Sequence, residues 1–281
     1  MRKIILLYEE VQPEVLQLLP HLIARLHEEG YITSTINVTK GEHKQANPPL
    51  QNVEMFLVLG GDGTILHAAH LCAEHSIPIL GVNFGRVGYL TELEPSELAR
   101  ELPAYLNGAP SLWIDERAML QAVVRQGDDQ QQFLALNDMM IARGTWPRGV
   151  YIKAWIDDLF FDTFYGDGII LSTPTGSTAY NISVGGPILH PKIEGYILTP
   201  IAPHLASNRA LVIPLGSKIQ LQITTHTQNG IFSADGQWDY EVKNNALVTI
   251  DKSPFRTRFI RRKPPTHFYE VIHGKQKMDE I

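Results

Sequence analysis

The amino-acid sequence predicts an α/β domain followed by an all-β domain. In the first 110 residues, short apolar runs alternate with stretches of helical period, which is typical of a parallel sheet with helices on its faces. From about Trp113 the pattern changes to β-rich runs separated by turn signals such as Gly127-Asp128-Asp129. We therefore expect α/β plus all-β: an N-terminal Rossmann-like α/β domain with a C-terminal β-sandwich-like domain.

The first domain, residues 1–110, is predicted to alternate strands and helices. A helix over Val15–His27 is expected to kink or split at Pro20, because proline removes a backbone donor. The polar stretch Gly41–Asn52 is predicted to be a surface loop. The predicted strands are Ile4–Tyr8, Tyr31–Val38, Met55–Leu59 and Ile77–Val82, and a second helix is predicted at Ile65–Glu74.

The second domain, residues 111–255, is predicted to consist mainly of strands, and residues 256–281 are expected to return to the first domain. The predicted strands are Arg117–Arg125, Gln132–Ala142, Val150–Ile156, Leu159–Phe164, Ile169–Ser172, Ala210–Ile213, Ile219–Thr224, Tyr240–Val242 and Ala246–Ile250.

Composition limits the classes of function. Acidic residues exceed basic ones and give a net charge of −6, so no broad positive surface for nucleic acid is expected. No segment has the ~20 consecutive apolar residues of a membrane-spanning helix, and the apolar run near the N-terminus is too short for a signal peptide. The single cysteine, Cys72, excludes an internal disulfide and a multi-cysteine metal site. We expect a cytoplasmic protein with neither nucleic-acid nor membrane partners.

A glycine-rich loop, Gly60-Gly61-Asp62-Gly63-Thr64, follows a predicted strand and precedes a predicted helix. Its glycines let the backbone approach a ligand, and the helix start supplies N–H groups and a positive dipole end, which together favour phosphate. The loop lacks the Lys-Ser/Thr ending of a Walker A sequence. Asp62 would repel phosphate unless it meets a hydroxyl or a metal-bound group. The simpler alternative is a tight turn in which Asp62 caps the helix.

A second motif runs from Gly166 to Pro191 and gathers hydroxyl groups around Pro174 and Gly176. The hydroxyls belong to Ser172, Thr173, Thr175, Ser177 and Thr178. Many neutral donors and acceptors with little bulk would suit ribose and phosphate oxygens. The alternative is a structural loop between strands.

Together these motifs resemble those of the NAD kinases. The matching segments are Gly60–Thr64, Asn83–Leu90, Asn137-Asp138, Asp167–Tyr180 and Gly185-Gly186-Pro187. The glycine-rich loop alone is less specific, because diacylglycerol and sphingosine kinases and phosphofructokinases carry similar loops. The resemblance implies transfer of the γ-phosphoryl group of ATP to the 2′-hydroxyl on the adenosine ribose of NAD.

The resemblance also implies roles for individual residues. Asp62 would be the catalytic residue that accepts the proton of the ribose 2′-hydroxyl. The phosphate-binding loop would consist of Gly60, Gly61, Gly63 and Thr64. The NAD-binding residues would be Asp62, Gly63, His67, Tyr89, Asn137, Asp138, Arg148, Asp167, Thr178, Ala179, Tyr180, Asn181, Ile182, Ser183 and Gln237. Within that set, Asn137 and Asp138 would face the adenine and ribose side, and Asp167 the nicotinamide end.

The family resemblance implies that Mg²⁺ or another divalent cation accompanies ATP, held mainly by phosphates and water, and we predict no dedicated protein metal site. His67 and His70 share a helical face but lack an acidic residue at a matching spacing. The resemblance further implies a homotetramer or homodimer in which the β-rich domains associate. Two positions depart from the family pattern: Tyr165 stands where a basic residue is common, and Tyr89 where phenylalanine is usual.

Two other functions are compatible with part of the sequence pattern. A lipid kinase of the diacylglycerol type would share the glycine-rich loop but needs an apolar acceptor groove, whereas the hydroxyl-rich motif favours a polar nucleotide. A nonenzymatic dinucleotide sensor would bind NAD without phosphorylating it, and the presence of Asp62 argues against it.

Overall fold

The computed structural model describes residues 2–9, 12–38, 48–85, 88–145, 148–204, 209–225 and 229–278. The chain divides into two compact units. The first unit contains Met1–Glu116 and Arg256–Ile281, and the second contains Arg117–Phe255. Part of the predicted Gly41–Asn52 loop lies outside the described residues, as do Arg86 and Val87 of the Asn83–Leu90 motif.

The first unit is an α/β structure around a parallel sheet. Its elements are β1 (Arg2–Tyr8), α1 (Pro13–Glu28), β2 (Tyr31–Asn37), β3 (Val53–Gly60), α2 (Asp62–Cys72), β4 (Ile79–Asn83) and α3 (Pro95–Leu106). The strands lie in the order β2-β1-β3-β4 and all pair in parallel. The central strands are apolar on both faces, as expected for a sheet covered on both sides. Leu98 and Leu102 of α3 join the same core as Ile4 and Leu57 of the sheet.

The sequence predicts a kink or a split at Pro20, and the structure excludes the split, because helix α1 runs unbroken from Pro13 to Glu28. Pro20 and Leu16 are both exposed. The carbonyl of Leu16, which loses its N–H partner to the proline, is therefore on the side of the helix that water reaches.

The second unit is built from two antiparallel sheets. Its elements, of which β5 begins and β16 ends in the first unit, are β5 (Trp113–Gln126), β6 (Asp129–Ala135), β7 (Asp138–Ala142), β8 (Val150–Ile156), β9 (Leu159–Gly166), β10 (Gly168–Ser172), α4 (Tyr180–Ser183), β11 (Gly195–Ile201), β12 (Leu211–Pro214), β13 (Ile219–Thr224), β14 (Gly230–Ala234), β15 (Trp238–Val242) and β16 (Leu247–Arg261). One sheet has the order β12-β11-β10-β7-β14-β15. The other contains the antiparallel pairs of β13 with β16, β13 with β8, and β8 with β9.

A single apolar core lies in the second unit, as a β-sandwich requires. It contains Leu171, Leu198 and Phe232 from the first sheet, and Ile152 and Leu221 from the second. The alternating burial along β13 shows one side chain in two facing this core. The predicted fold class is thus confirmed for both units.

The last strand is much longer than the predicted Ala246–Ile250, since β16 continues to Arg261. Its end belongs to the first unit, where Phe259 pairs with Ile79 of β4 in parallel. A final helix, α5 (His267–Met278), follows in the same unit. Within the described part of the chain, no helix is long and apolar enough to cross a membrane.

Candidate functional site

The glycine-rich loop forms the turn between strand β3 and helix α2. Gly61 is extended, and its carbonyl accepts the N–H groups of Thr64 at 3.0 Å and of Ile65 at 3.1 Å. Gly60 and Thr64 are buried, whereas Gly61 is half-buried and Gly63 is exposed. The side of the loop that a phosphate could reach is therefore Gly61–Gly63, at the positive end of the helix dipole.

Asp62 is the first residue of α2, and the residue before it, Gly61, has no side chain with which to cap the helix. Both carboxylate oxygens of Asp62 bond to a distant segment: Oδ2 accepts the N–H of Tyr89 at 2.8 Å and Oδ1 accepts the N–H of Leu90 at 3.0 Å. Hydrogen bonds from backbone donors to both oxygens hold the half-buried carboxylate in one orientation.

The segment that holds Asp62 approaches it closely at Gly88. A Cβ built on Gly88 would lie within 3.1 Å of Asp62 Cγ and closer still to Oδ1, which only glycine can avoid. The next residue, Tyr89, is half-buried, and its ring centroid lies 6.4 Å from that of Phe268 in α5. His67 lies half-buried on α2 in the same unit. The structure thus brings the loop and Tyr89 together around the Asp62 carboxylate.

The Asn137-Asp138 pair lies in a break between two strands. The sequence prediction of one strand over Gln132–Ala142 is wrong, because β6 ends at Ala135 and β7 begins at Asp138. The carboxylate of Asp235 occupies the break, accepting N–H bonds from Leu136 (2.8 Å), Asn137 (2.7 Å) and Asp138 (3.1 Å). The Asp235 N–H in turn donates to the Asp138 carbonyl at 2.9 Å. The N–H groups of Leu136, Asn137 and Asp138 therefore bond to one carboxylate and not to a neighbouring strand.

Asp138 carries a buried carboxyl group whose pKa is raised from 3.8 to about 7. Burial is the larger cause, because it penalises the charged form, and the nearby charge of Asp235 adds to it. A group with a pKa near 7 can exchange its proton in the neutral range. Asp138 can therefore act as donor or as acceptor toward a ligand hydroxyl or ring nitrogen.

The hydroxyl-rich motif differs from the expectation of a ligand surface, because Ser172, Thr173, Thr175 and Ser177 are buried. Thr173 Oγ1 donates to the Leu136 carbonyl at 2.6 Å, and Ser177 Oγ donates to the Pro174 carbonyl at 2.6 Å. A Cβ on Gly176 would lie 2.6 Å from Asn137 Cα, so the motif packs directly against the Asn137 backbone. The buried hydroxyls position the Asn137-Asp138 turn.

The segment from Thr178 to Ser183 presents side chains of two kinds. Tyr180 and Ile182 are 44% and 43% exposed, so each presents apolar side-chain area to solvent. Asn181 is fully buried, and its amide donates to the carbonyls of Ser177 and Pro187 while it accepts the Thr199 hydroxyl. The segment is thus anchored through the Asn181 amide, while its neighbours face outward. Thr178 and Ala179 are half-buried, and Ser183 is exposed.

Asp167, the residue expected at the nicotinamide end, bonds to Arg143. The guanidinium Nε lies 2.6 Å from Asp167 Oδ1, and the Arg143 N–H donates to the Asp167 carbonyl at 2.8 Å. Tyr165, which stands where the family often has a basic residue, stacks on Tyr151 with ring centroids 4.4 Å apart. Its other ring neighbour is His204, at 4.5 Å between centroids.

Arg148 and Gln237 are the remaining predicted NAD-binding residues of the second unit. Arg148 is exposed, and Gln237 is half-buried in the turn that joins β14 to β15. Sequence reasoning does not single out Asp235 or Arg143. The Asp235-Gly236 pair is a turn signal in the sequence, and Asp235 takes a positive φ of 54°, which aspartate tolerates better than most residues.

Across the described residues, no group of three or more His, Cys, Asp or Glu side chains is arranged to hold a metal ion. The carboxylates of this site instead accept hydrogen bonds from backbone N–H groups or from Arg143. That donor set does not resemble an all-protein cage for a divalent cation.

Comparisons with known proteins identify the family of the chain. The model of the ATP-NAD kinase N-terminal domain matches residues 12–109, and the model of the ATP-NAD kinase C-terminal domain matches residues 136–262. The chain is 40% identical over 233 residues to an NAD kinase of Caldanaerobacter subterraneus subsp. tengcongensis, which covers 83% of this chain and 81% of that protein. It is 36% identical over 278 residues to an NAD kinase of Dehalococcoides mccartyi, with coverage of 98% and 96%.

Two solved structures share the fold. Yeast NADH kinase, solved in complex with NADH, superimposes with a TM-score of 0.84 at 22% identity, over 97% of this chain and 86% of that chain. An NAD kinase from Archaeoglobus fulgidus, solved in complex with ATP, superimposes with a TM-score of 0.75 at 26% identity, over 96% of this chain and 97% of that chain.

Proposed function

This chain belongs to the NAD kinase family, and from that premise we propose which of its residues carry out the reaction. The reaction is transfer of the γ-phosphoryl group of ATP to the 2′-hydroxyl on the adenosine ribose of NAD. The observation that carries the assignment of roles is the Asp62 carboxylate, held by two N–H bonds beside a glycine-rich loop at a helix start.

Asp62 is the residue that meets the acceptor hydroxyl. The 2′-hydroxyl donates a hydrogen bond to the carboxylate, and its proton passes to Asp62 as the new bond from oxygen to phosphorus forms and the bond from phosphorus to ADP breaks. Phosphoryl transfer has a loose transition state, so positioning and electrostatics outweigh the strength of the base. A carboxylate already held by Tyr89 and Leu90 suits that task, because it cannot rotate away from the hydroxyl.

The phosphates of the substrates bind at the exposed side of the loop. Gly61 and Gly63 have no side chains to obstruct them, and the start of α2 supplies the partial positive charge of the helix dipole. Gly60 and Thr64 support this surface from below, because both are buried. Half-buried His67 and Tyr89 are proposed to border the bound nucleotide.

The dinucleotide is recognised by residues of the second unit. Asn137 and Asp138 face the adenine and ribose side, with their backbone fixed by Asp235. The exposed side chains of Tyr180 and Ile182 offer faces for a planar ring, and Asp167, oriented by Arg143, contacts the nicotinamide end. The further proposed contacts are Thr178, Ala179, Ser183, Arg148, Gln237 and the backbone at Asn181.

Mg²⁺ or another divalent cation is proposed to enter with ATP. The ion would neutralise charge on the triphosphate and would be held mainly by phosphate oxygens and water. The carboxylates of Asp62, Asp235 and Asp167 already accept hydrogen bonds from protein groups. This supports an ion held by phosphate and water more than by protein side chains. ATP as the donor is supported by the Archaeoglobus fulgidus relative, which was solved with ATP.

The protein is proposed to form a homodimer or homotetramer in the cytoplasm. Strand β9 ends its sheet and carries three consecutive large apolar side chains, Leu159, Phe160 and Phe161, which are all exposed. Natural proteins cover apolar sheet edges, and a second copy of the same chain is the occupant we propose. The cytoplasmic location is supported by the lone buried thiol of Cys72.

A direct assay tests the function. Purified protein incubated with ATP, Mg²⁺ and NAD is expected to release ADP and NADP in equal amounts. The same assay with diacylglycerol as acceptor is expected to give no phosphorylated product. Binding of NAD without NADP formation under these conditions would favour a sensor and would overturn the proposal.

A further inference from the structure

A buried arginine lies directly behind the segment that holds Asp62. The N–H groups of Tyr89 and Leu90 donate to the Asp62 carboxylate. On the other side of the same segment, Arg261 Nη1 donates to the carbonyl of Leu90 at 2.9 Å and to that of Thr91 at 3.1 Å. Leu90 is therefore bonded through its N–H to Asp62 and through its carbonyl to Arg261.

Arg261 is itself fixed by buried partners. Its side chain is 7% exposed, and it forms ion pairs with Glu92 at 3.3 Å and with Asp115 at 3.5 Å. The guanidinium carbon also lies 4.8 Å from the centre of the Phe259 ring. A buried guanidinium with two carboxylates and two carbonyls around it has little freedom to move.

Glu92 is held just as firmly. It accepts the Tyr105 hydroxyl at 3.0 Å and the N–H groups of Arg262 at 2.9 Å and Lys263 at 3.0 Å. Burial and the charge of Glu92 raise the pKa of Tyr105 well above its usual range, so the hydroxyl stays protonated and remains a donor. Within the first unit, residues 261–263 at and just after the end of β16 thereby hold the Leu90–Glu92 segment in place.

We propose that Arg261 is a positioning residue for phosphoryl transfer. By fixing the carbonyls of Leu90 and Thr91, it keeps the N–H groups of Tyr89 and Leu90 pointed at Asp62 and so holds the carboxylate toward the acceptor hydroxyl. This inference rests on the proposed role of Asp62. A positional shift of about 1 Å at a reacting group can cost on the order of a hundredfold in rate, so a residue that does not touch substrate can matter this much.

The alternative explanation is that Arg261 contributes only to the stability of the fold. Removing one partner of a buried ion pair is strongly destabilising, so a loss of activity alone does not separate the two roles. The chain offers a control for the types of bond in Arg258, on the same strand, whose side chain is 36% exposed where that of Arg261 is 7% exposed. Arg258 pairs with Glu116 of β5 at 3.3 Å and donates to the Ser76 carbonyl at 3.4 Å. Like Arg261, it therefore forms an ion pair and donates to a backbone carbonyl. Its partners, Glu116 and Ser76, lie outside the Leu90–Glu92 segment.

The test compares Arg261→Lys and Arg258→Lys, each alone and combined with Asp62→Asn, in the full-length protein at a temperature where circular dichroism shows every variant folded. Lysine keeps the charge but loses the fork that reaches two carbonyls and two carboxylates. We expect Arg261→Lys to lower kcat about tenfold to a hundredfold, with the KM values for NAD and ATP within about threefold. Arg258→Lys should leave kcat within about twofold.

The double variants decide whether Arg261 acts through Asp62. If it does, adding Arg261→Lys to Asp62→Asn should cause little further loss, within about twofold. Equal multiplicative losses in both backgrounds, or an unchanged kcat in folded Arg261→Lys, would overturn the inference. Failure of the wild-type protein to make NADP would instead overturn the proposed function, so the two failures are distinguishable.

If Arg261→Lys does not fold, Asp115→Asn takes its place. This variant keeps Arg261 and Glu92 and removes one of the two carboxylates that orient the guanidinium. A smaller loss of kcat, about threefold to tenfold, is expected, again absent in the Asp62→Asn background. The same loss in both backgrounds would contradict the proposal.

Discussion

Gly88 lies against the carboxylate of Asp62 so closely that no side chain could stand between them. A Cβ on Gly88 would meet Asp62 Oδ1 first, with Asp62 Cγ at 3.1 Å and Thr91 Oγ1 at 3.0 Å. The adjacent N–H groups of Tyr89 and Leu90 then reach the two carboxylate oxygens. Because Gly88 has no side chain, the segment that follows it can approach Asp62, the proposed catalytic residue, closely enough to bond to both carboxylate oxygens.

Gly88→Ala is expected to displace Asp62. The new methyl group would force the carboxylate or the 88–91 segment to move, and overpacking of this kind costs about 1–3 kcal/mol. We expect kcat to fall at least tenfold, measured as NADP formation at saturating ATP and NAD. Gly85→Ala is the control, because among the described residues its Cβ would meet only Asn83 Oδ1, at 3.9 Å. Equal activity of the two variants would contradict the role of the close approach.

Asp235→Asn is expected to weaken NAD binding. In the wild type, three backbone N–H groups donate to the two oxygens of Asp235. Asparagine has one acceptor oxygen, so its NH₂ group would face at least one of these N–H groups. The turn at Leu136–Asp138 would then lose its shape. Leaving a buried donor without its partner costs about 1–3 kcal/mol. The KM for NAD should rise about tenfold, whereas the KM for ATP should change much less.

Asp239→Asn provides the comparison for that measurement. Asp239 lies on the same hairpin, is exposed, and accepts the hydroxyl of buried Ser233, outside the turn at Leu136–Asp138. We expect its KM for NAD to stay within about twofold of the wild type. If Asp235→Asn behaves in the same way, the carboxylate of Asp235 does not position the Asn137-Asp138 turn.

Asp138→Asn should change how stability depends on pH in the absence of ligand. The folded-state pKa of Asp138 is raised from 3.8 to about 7, so the folded protein binds a proton that the unfolded chain releases. The free energy of unfolding should therefore fall as pH rises from about 4 to 7, by at most about 1.4 kcal/mol per unit from this group. Asparagine cannot titrate, so the variant should lose this slope and gain stability relative to wild type at pH 8.

Urea unfolding at pH 5 and pH 8 measures that difference. NAD should also bind the variant more weakly at both values, because the carboxyl is a proposed ligand. Identical pH slopes for wild type and Asp138→Asn would show that the carboxyl is not protonated in the folded state.

Leu159→Glu with Phe161→Glu is expected to dissociate the oligomer. Leu159 is 75% exposed at the start of β9, and a charge there would remain unpaired and poorly hydrated in an interface with a second copy. Sedimentation should show the wild type at a multiple of 31.5 kDa and the double variant at a lower multiple. Ile32→Glu, on the edge strand β2 of the first unit, should leave the mass unchanged. A monomeric wild type would remove the proposal.

The fold class follows from local patterns, because periodicity reports the face that each element buries. Strands β3 and β8 are predicted nearly to their ends. Helix α3 is absent from the prediction although Pro95 at its first position and the capping pair Glu94 and Glu97 mark its start. Strand β11 is also absent, since it is buried at every position and contains Pro200, so neither alternation nor composition indicates a strand.

The site could be predicted only in part. The resemblance to a family singles out Asp62 and Asn137, but the groups that position them lie far along the chain. Asp62 bonds to N–H groups 27 and 28 residues away, and Asp235 to N–H groups 97 to 99 residues away. No local pattern encodes such pairings. The buried hydroxyls of the second motif show the converse error, because composition predicts polarity but not which way a side chain points.

The turnover of Asp62→Asn tests whether the Asp62 carboxylate acts on the acceptor hydroxyl during phosphoryl transfer. Asparagine matches the shape of aspartate but cannot take the proton and keeps one acceptor oxygen in place of two. We expect kcat for NADP formation to fall by about 10² to 10⁴, with the KM for NAD within about threefold, because Asp62 acts mainly in the transition state. A folded Asp62→Asn protein with near-normal kcat, or one whose loss lies entirely in NAD affinity, would contradict the account.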